Sequence, residues 1–167
     1  MASLSKSSPM LFLLLCLACF AHRIVPCRAQ NNPQDYLSSH NAARKAVNVP
    51  NMVWNATLAS YANNYVMTRL GDCNLVHSDP NGPYGENLAK GTGSFSGVDA
   101  VNLWVKEKSC YNYNTNECVG GECLHYTQVV WRDSAGVGCA RLKCNNGWWF
   151  VSCNYYPPGN WEGEKPY

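Results

Sequence analysis

Cysteine constrains this chain more than any other residue. Ten are present: Cys16, Cys19 and Cys27 near the N-terminus, then Cys73, Cys110, Cys118, Cys123, Cys139, Cys144 and Cys153. That density suits an oxidising compartment. Val137–Cys144 and Trp148–Tyr155 are strand-like, and Asn145-Asn146-Gly147 between them is a hairpin loop with glycine available for positive φ. A three-residue loop sets Cys144 opposite Trp148, and counting outward sets Cys139 opposite Cys153, a natural cross-strand bridge. Cys118 to Cys123 closes a small loop whose two glycines let the chain double back. Cys73, Cys110 and Cys144 then remain for one further bridge. In the chain-entropy model a Cys139–Cys153 link contributes about 3 kcal/mol and a Cys73–Cys144 link about 4. Against a domain stability of roughly 5–15 kcal/mol, reduction threatens the fold.

The N-terminus explains the compartment. A lone cation, Lys6, precedes an apolar run from Met10 to Phe20 that is too short to span a bilayer. It reads as a signal peptide over residues 1–29, cleaved after Ala29; cleavage after Ala21 would retain Cys27. Residues 30–167 are then one secreted domain of ordinary size, with no transmembrane anchor. Losing Lys6, Arg23 and Arg28 takes thirteen Lys and Arg down to ten, against eleven Asp and Glu. A near-neutral domain carries no electrostatic footprint for nucleic acid. Seven cysteines leave one thiol over, so the protein is expected to be mainly monomeric with at most a minor disulfide-linked dimer.

Asn32-Pro33 with Asp35 starts a helix over roughly 33–47, on which Leu37, His40, Arg44 and Val47 recur at helical spacing. A second helix carries Leu58, Tyr61, Ala62, Tyr65, Val66 and Arg69, with Gly71 placed for a left-handed C-cap. Asn55 stands at its N-cap and also heads a glycosylation acceptor, Asn55-Ala56-Thr57. Ser96 and Asp99 cap a third helix whose Ala100, Leu103, Trp104 and Glu107 share a face. Residues 78–97 read as a loop dense in Gly, Pro, Asn and Ser. Helices first and strands last imply an α+β domain with an antiparallel sheet.

Imidazole chemistry in the secreted domain must use His40, His77 or His125. His40, mid-helix, reads as a packed histidine with a local hydrogen bond. Glu86 and Glu107 are the carboxylates near apolar sequence. No Gly-x-Ser-x-Gly elbow or other nucleophile motif supports covalent hydrolysis. Tyr111 and Tyr113 sit in a polar, Asn-rich loop where aromatic rings can be exposed.

Three segments carry a resemblance: Gly85-Glu86-Asn87-Leu88-Ala89, His125-Tyr126-Thr127-Gln128-Val129-Val130-Trp131 and Cys153-Asn154-Tyr155-Tyr156-Pro157. They closely resemble the signatures of the CAP superfamily, and both ends of residues 30–167 look like its plant pathogenesis-related group one. The resemblance implies an α-β-α sandwich, helices covering both faces of a central antiparallel sheet. It implies bridges Cys73–Cys144, Cys118–Cys123 and Cys139–Cys153, with Cys110 a departure. It also implies a cleft of His77, Glu86, Glu107 and His125, with the two histidines suited to a zinc ion that the fold does not require.

By the same resemblance the chain is a non-enzymatic defence protein of the extracellular space, the apoplast, acting on fungi and oomycetes. Its partners would be a sterol or related lipid and pathogen membrane components, met by the aromatic loop of Tyr111, Tyr113 and Val119. The tail 157–167 matches a releasable C-terminal signalling peptide. Alternatively, Trp161 and Tyr167 clasp that tail to the sheet. A metal-dependent extracellular hydrolase, with zinc on His77 and His125 and a glutamate as base, is the competing activity.

Overall fold

The computed structural model describes residues 31–167. The expected signal peptide, its cleavage point and Cys16, Cys19 and Cys27 lie outside the described residues. Helix α1 (Pro33–Lys45) starts as its sequence dictates. The Asn32 side chain accepts from the Asp35 amide, and the Asp35 carboxylate accepts from the Asn32 amide. After the short strand β1 (Val53–Trp54), helix α2 (Ala56–Thr68) starts on Asn55, whose Oδ1 accepts from the Thr57 and Leu58 amides. Strand β2 (Gly85–Gly91) precedes helix α3 (Gly97–Lys106), again opened by the Ser96/Asp99 capping box. A 3₁₀ turn (Glu107–Cys110), a small hairpin of β3 (Tyr111–Asn112) and β4 (Glu117–Cys118), and helix α4 (Leu124–Val129) follow. Strands β5 (Gly136–Lys143) and β6 (Trp149–Tyr156) end the regular structure.

The sheet order is β1-β5-β6-β2. Cys139 pairs with Cys153 in the β5–β6 ladder and bridges to it, as counting outward from the hairpin loop requires. The Cys73–Cys144 and Cys118–Cys123 bridges are also formed, and Cys110 is a half-buried free thiol among the described residues. One face of the sheet packs on α2 through Val66, Leu88 and Phe150. The other packs on α1, α3 and α4 through Tyr36, Trp104, Tyr126, Val151 and Tyr155, completing the α-β-α sandwich. Helix α2 rests so closely on β5 that a Cβ on Gly138 would lie 2.1 Å from the Ala59 nitrogen, and glycine alone leaves that space.

Four expectations need correction. Residues 85–91, read as loop, form β2 and pair with β6 along their whole length; as an edge strand of Gly, Glu, Asn and Lys around Leu88-Ala89, it lacks the apolar alternation of a central one. β1 runs parallel to β5, so the sheet is antiparallel except at that edge. Gly71 makes no left-handed cap. The positive φ, 55°, falls on Cys73, where the Cys73 amide bonds Arg69 O and the chain turns toward Cys144. On α3, Leu103 is 43% exposed, and the buried face is Gly97, Ala100, Val101 and Trp104.

A buried cation joins the layers. Arg44 on α1 is fully buried and donates to four backbone carbonyls: Pro50 (2.6 Å), Val129 (3.1 Å), Trp131 (2.6 Å) and Arg132 (3.1 Å). Three of these lie at or just beyond the C-terminal end of α4, where carbonyls lack helical partners and the helix dipole favours positive charge. Burial lowers the Arg44 pKa to about 10, which keeps it cationic at neutral pH. Arg44→Met strands four carbonyls, and urea unfolding should show a loss of about 3 kcal/mol or more. A loss below about 1 kcal/mol would mean the carbonyls find other partners.

Candidate functional site

The site begins where α3 ends. Trp104 Nε1 donates to Leu88 O (3.0 Å), drawing α3 against β2, and Glu107 follows one turn later. One oxygen of Glu107, Oε1, meets His125 Nδ1 at 2.8 Å. The other, Oε2, accepts from the His125 (3.1 Å) and Tyr126 (3.2 Å) amides, which satisfies the start of α4. The His125 ring stacks on Trp104 with centroids 6.5 Å apart.

A second pair is built the same way on the β2 edge. Glu86 Oε1 accepts from the Ser78 amide and meets His77 Nδ1, both at 2.9 Å, while Asn154 Nδ2 reaches Oε2 at 3.3 Å. Carboxylates accept only, so each histidine donates from Nδ1 and leaves Nε2 for a ligand. Asn87, beside Glu86 on β2, connects the pairs: its Nδ2 donates to His125 O (3.0 Å) and to the Tyr155 hydroxyl (3.2 Å). His40 lies behind them as a packed histidine. Its Nδ1 donates to Tyr36 O (2.8 Å) and its Nε2 accepts from Tyr155 (2.9 Å). Burial lowers its pKa to about 4, so it is neutral.

Among the described residues, the grouping whose ligand atoms converge within 4.8 Å is Glu107, Glu122 and His125. His77 is outside it. Glu122 was missed in the sequence, although it stands three residues before His125; its Oε1 accepts from the Cys123 and Leu124 amides. One imidazole and two carboxylates are donors that zinc accepts.

The aromatic loop is the β3–β4 hairpin. Tyr111 is half-buried against Tyr126, Tyr113 is 42% exposed, and Val119 is exposed. The C-terminal tail covers them in a way the sequence did not announce. Tyr167 stacks on Tyr113 at 5.0 Å, meets Tyr111 edge-on, and has its hydroxyl 3.4 Å from that of Tyr126. Arg132 N donates to Pro166 O (2.8 Å) and the Ser134 hydroxyl to Pro157 O (2.8 Å). Tyr167 thus anchors the tail to the tyrosine loop rather than to the sheet, and Trp161, expected as a clasp, is 57% exposed.

Residues 37–155 match the family described as CAP, the cysteine-rich secretory protein family. The chain belongs to that family. Among its relatives, pathogenesis-related leaf protein 4 of Solanum lycopersicum is 63% identical, over 84% of this chain and 87% of that protein. Pathogenesis-related protein 1 of Arabidopsis thaliana is 55% identical, over 93% and 94%. The solved structure of Schistosoma mansoni venom allergen-like protein 4 superposes with a TM-score of 0.67 at 28% identity, covering 81% of this chain and 92% of that one. Among the described residues, no helix of this CAP protein is long and apolar enough to cross a membrane.

The electrostatics of the His77–Glu86 pair are testable. The hydrogen bond to Glu86 raises the His77 pKa above its ordinary value, against partial burial. Burial opposes charge on Glu86, but hydrogen bonds from His77, Ser78 and Asn154 prevail and hold its pKa below the ordinary carboxylate range. A raised histidine pKa means the pair's stabilisation is complete below the unfolded value, about 6.5, and is lost as pH rises through the folded value. An NMR titration should place His77 above 6.5, with Glu86→Gln returning it toward 6.5; identical titrations in the two proteins would rule out the pairing.

Proposed function

We propose that this CAP protein is an extracellular plant defence protein that acts by binding, its ligand being a sterol or related lipid of fungal or oomycete membranes. The observation that carries binding over hydrolysis is the state of the two glutamates. Glu107 accepts two backbone amides as well as His125, and Glu86 accepts the Ser78 amide as well as His77. Each carboxylate has three of its roughly four lone-pair sites taken, which leaves little capacity for the proton that a general base must accept. These carboxylates are engaged in orienting imidazoles, which suits a preorganised binding site. The identity to plant pathogenesis-related proteins supports the defence role.

Zinc, in this reading, is a ligand of the site: His125 with Glu107 and Glu122 would hold it, and the His77–Glu86 pair supplies the second oriented imidazole. The bound ion would contribute Lewis-acid polarisation, while Glu107 keeps the His125 ring in place. The lipid-facing element is the Tyr111, Tyr113 and Val119 loop, where flat aromatic rings meet a flat ring system with little loss of rotamer freedom. Tyr167 already covers Tyr113, so a sterol reaches that ring by displacing it. We assign residues 157–167 as the releasable signalling peptide. β6 ends at Tyr156, and a cut before Pro157 leaves all three bridges in the body, although release requires the tail bonds to open.

Titration with a fluorescent sterol tests the reading. Tyr113→Ser should weaken binding roughly two- to tenfold, and Tyr167→Ala should strengthen it by removing the competing ring. In a parallel assay with added zinc, a peptide library should show no turnover above that of Glu107→Gln. Equal sterol affinity in all three proteins, or zinc-dependent cleavage that the glutamate variant loses, would overturn it.

A further inference from the structure

A cavity of about 190 Å³ lies between the C-terminal tail and the β3–β4 hairpin, apart from the histidine–glutamate pairs. Tyr111, Trp131 and Trp161 line it with aromatic surface, and Glu162 and Glu164 bring carboxylates. No Lys, Arg or His is among its lining residues. Trp131 is 4% exposed and is pinned by the tail, since a Cβ on Gly159 would lie 2.5 Å from its indole. Trp161 is the solvent-exposed wall.

The hydrogen-bonding groups of the walls hold one another. The Tyr111 hydroxyl donates to Asn116 Oδ1 (2.8 Å), and Asn116 Nδ2 donates to Glu164 O (2.9 Å). Thr127 Oγ1 donates to Asn160 Oδ1 (2.7 Å), and Asn160 Nδ2 donates to Leu124 O (2.8 Å). Both amides are therefore engaged at both ends, which disfavours a sugar, a ligand that needs such groups free. A divalent ion needs converging ligand atoms, and neither Glu162 nor Glu164 belongs to the converging group among the described residues. The volume is also below the roughly 300 Å³ at which pockets for drug-sized ligands begin, so a whole sterol does not fit. Aromatic faces and two carboxylates remain. Their complement is a small organic cation, and one without N–H donors asks nothing of the amides already engaged on one another.

We infer that this cavity is a binding site for a quaternary ammonium group of the choline type. The rings of Tyr111, Trp131 and Trp161 meet the cation through cation–π attraction, and Glu162 and Glu164 supply the long-range charge. Lys165, at 4.3 Å from the Tyr113 ring, shows the same attraction satisfied internally beside the cavity. The group could arrive as free choline or as the headgroup of phosphatidylcholine, since both present the same trimethylammonium.

The test is calorimetric and fluorescence titration of the secreted protein at constant ionic strength, with choline and with its uncharged isostere 3,3-dimethyl-1-butanol. Choline should bind saturably and at least about tenfold more tightly than the isostere, because only the charge differs. Trp161→Ala should abolish binding, and the Glu162→Gln, Glu164→Gln pair should weaken it severalfold. The replaced side chains are at the surface, so the melting temperature should not change. Sedimentation with phosphatidylcholine vesicles but not with phosphatidylglycerol vesicles would identify the headgroup as the source; binding of free choline alone would identify the soluble form. Equal affinity for choline and the isostere, binding unaffected in Trp161→Ala, or no saturable binding of choline would overturn the assignment.

Discussion

Tyr155 lies in β6 with no exposed surface, and a phenol so buried must find its partners inside the protein. Its hydroxyl donates to His40 Nε2 on α1 and accepts from Asn87 Nδ2 on β2. Asn87 also donates to the carbonyl of His125, and His40 donates to Tyr36 O. Burial keeps His40 neutral and pushes the Tyr155 phenol far above its ordinary pKa, so every group in the chain stays in one protonation state near neutral pH. Two strands and two helices are thereby held by bonds whose loss would leave a polar group stranded in the core. The position of the site follows, because Glu86 and Asn87 are neighbours on β2 and β2 takes its register from β6.

Much of this arrangement was legible in the sequence where a local rule decides the outcome. The capping residues Asn32, Asn55 and Ser96 open their helices because side-chain oxygens satisfy orphan amides. The loop around Gly147, at φ 87°, sets the β5–β6 register and with it the Cys139–Cys153 bridge. Where long-range packing decides, the local rules failed. β2 is a strand because β6 pairs with it, and its own residues carry little β signal. Leu103 fits a helical stripe, but the sheet lies on the side of Val101. Asn154 and Tyr167 come from distant segments and could not be inferred from spacing, whereas Glu122, three residues before His125, carried a local signal that went unread. Gly71 shows the limit of a cap rule when a disulfide moves the tight turn to Cys73.

The site itself is a pair of clamps. In each, a glutamate satisfies backbone amides with part of its capacity and fixes an imidazole with the rest, so that two Nε2 atoms are presented on a rigid frame. Arg44 holds the far end of α4 while Glu107 holds its start, which restrains a helix of only six residues that could not persist alone. The C-terminal tail closes over the tyrosine loop next to this frame.

The buried chain through Tyr155 and Asn87 couples the sheet to the site. A double-mutant cycle of Asn87→Ala with Tyr155→Phe, read by urea unfolding, measures that coupling directly. The interaction energy between the two positions should be about 1 kcal/mol or more. Additivity to within about 0.3 kcal/mol would contradict it.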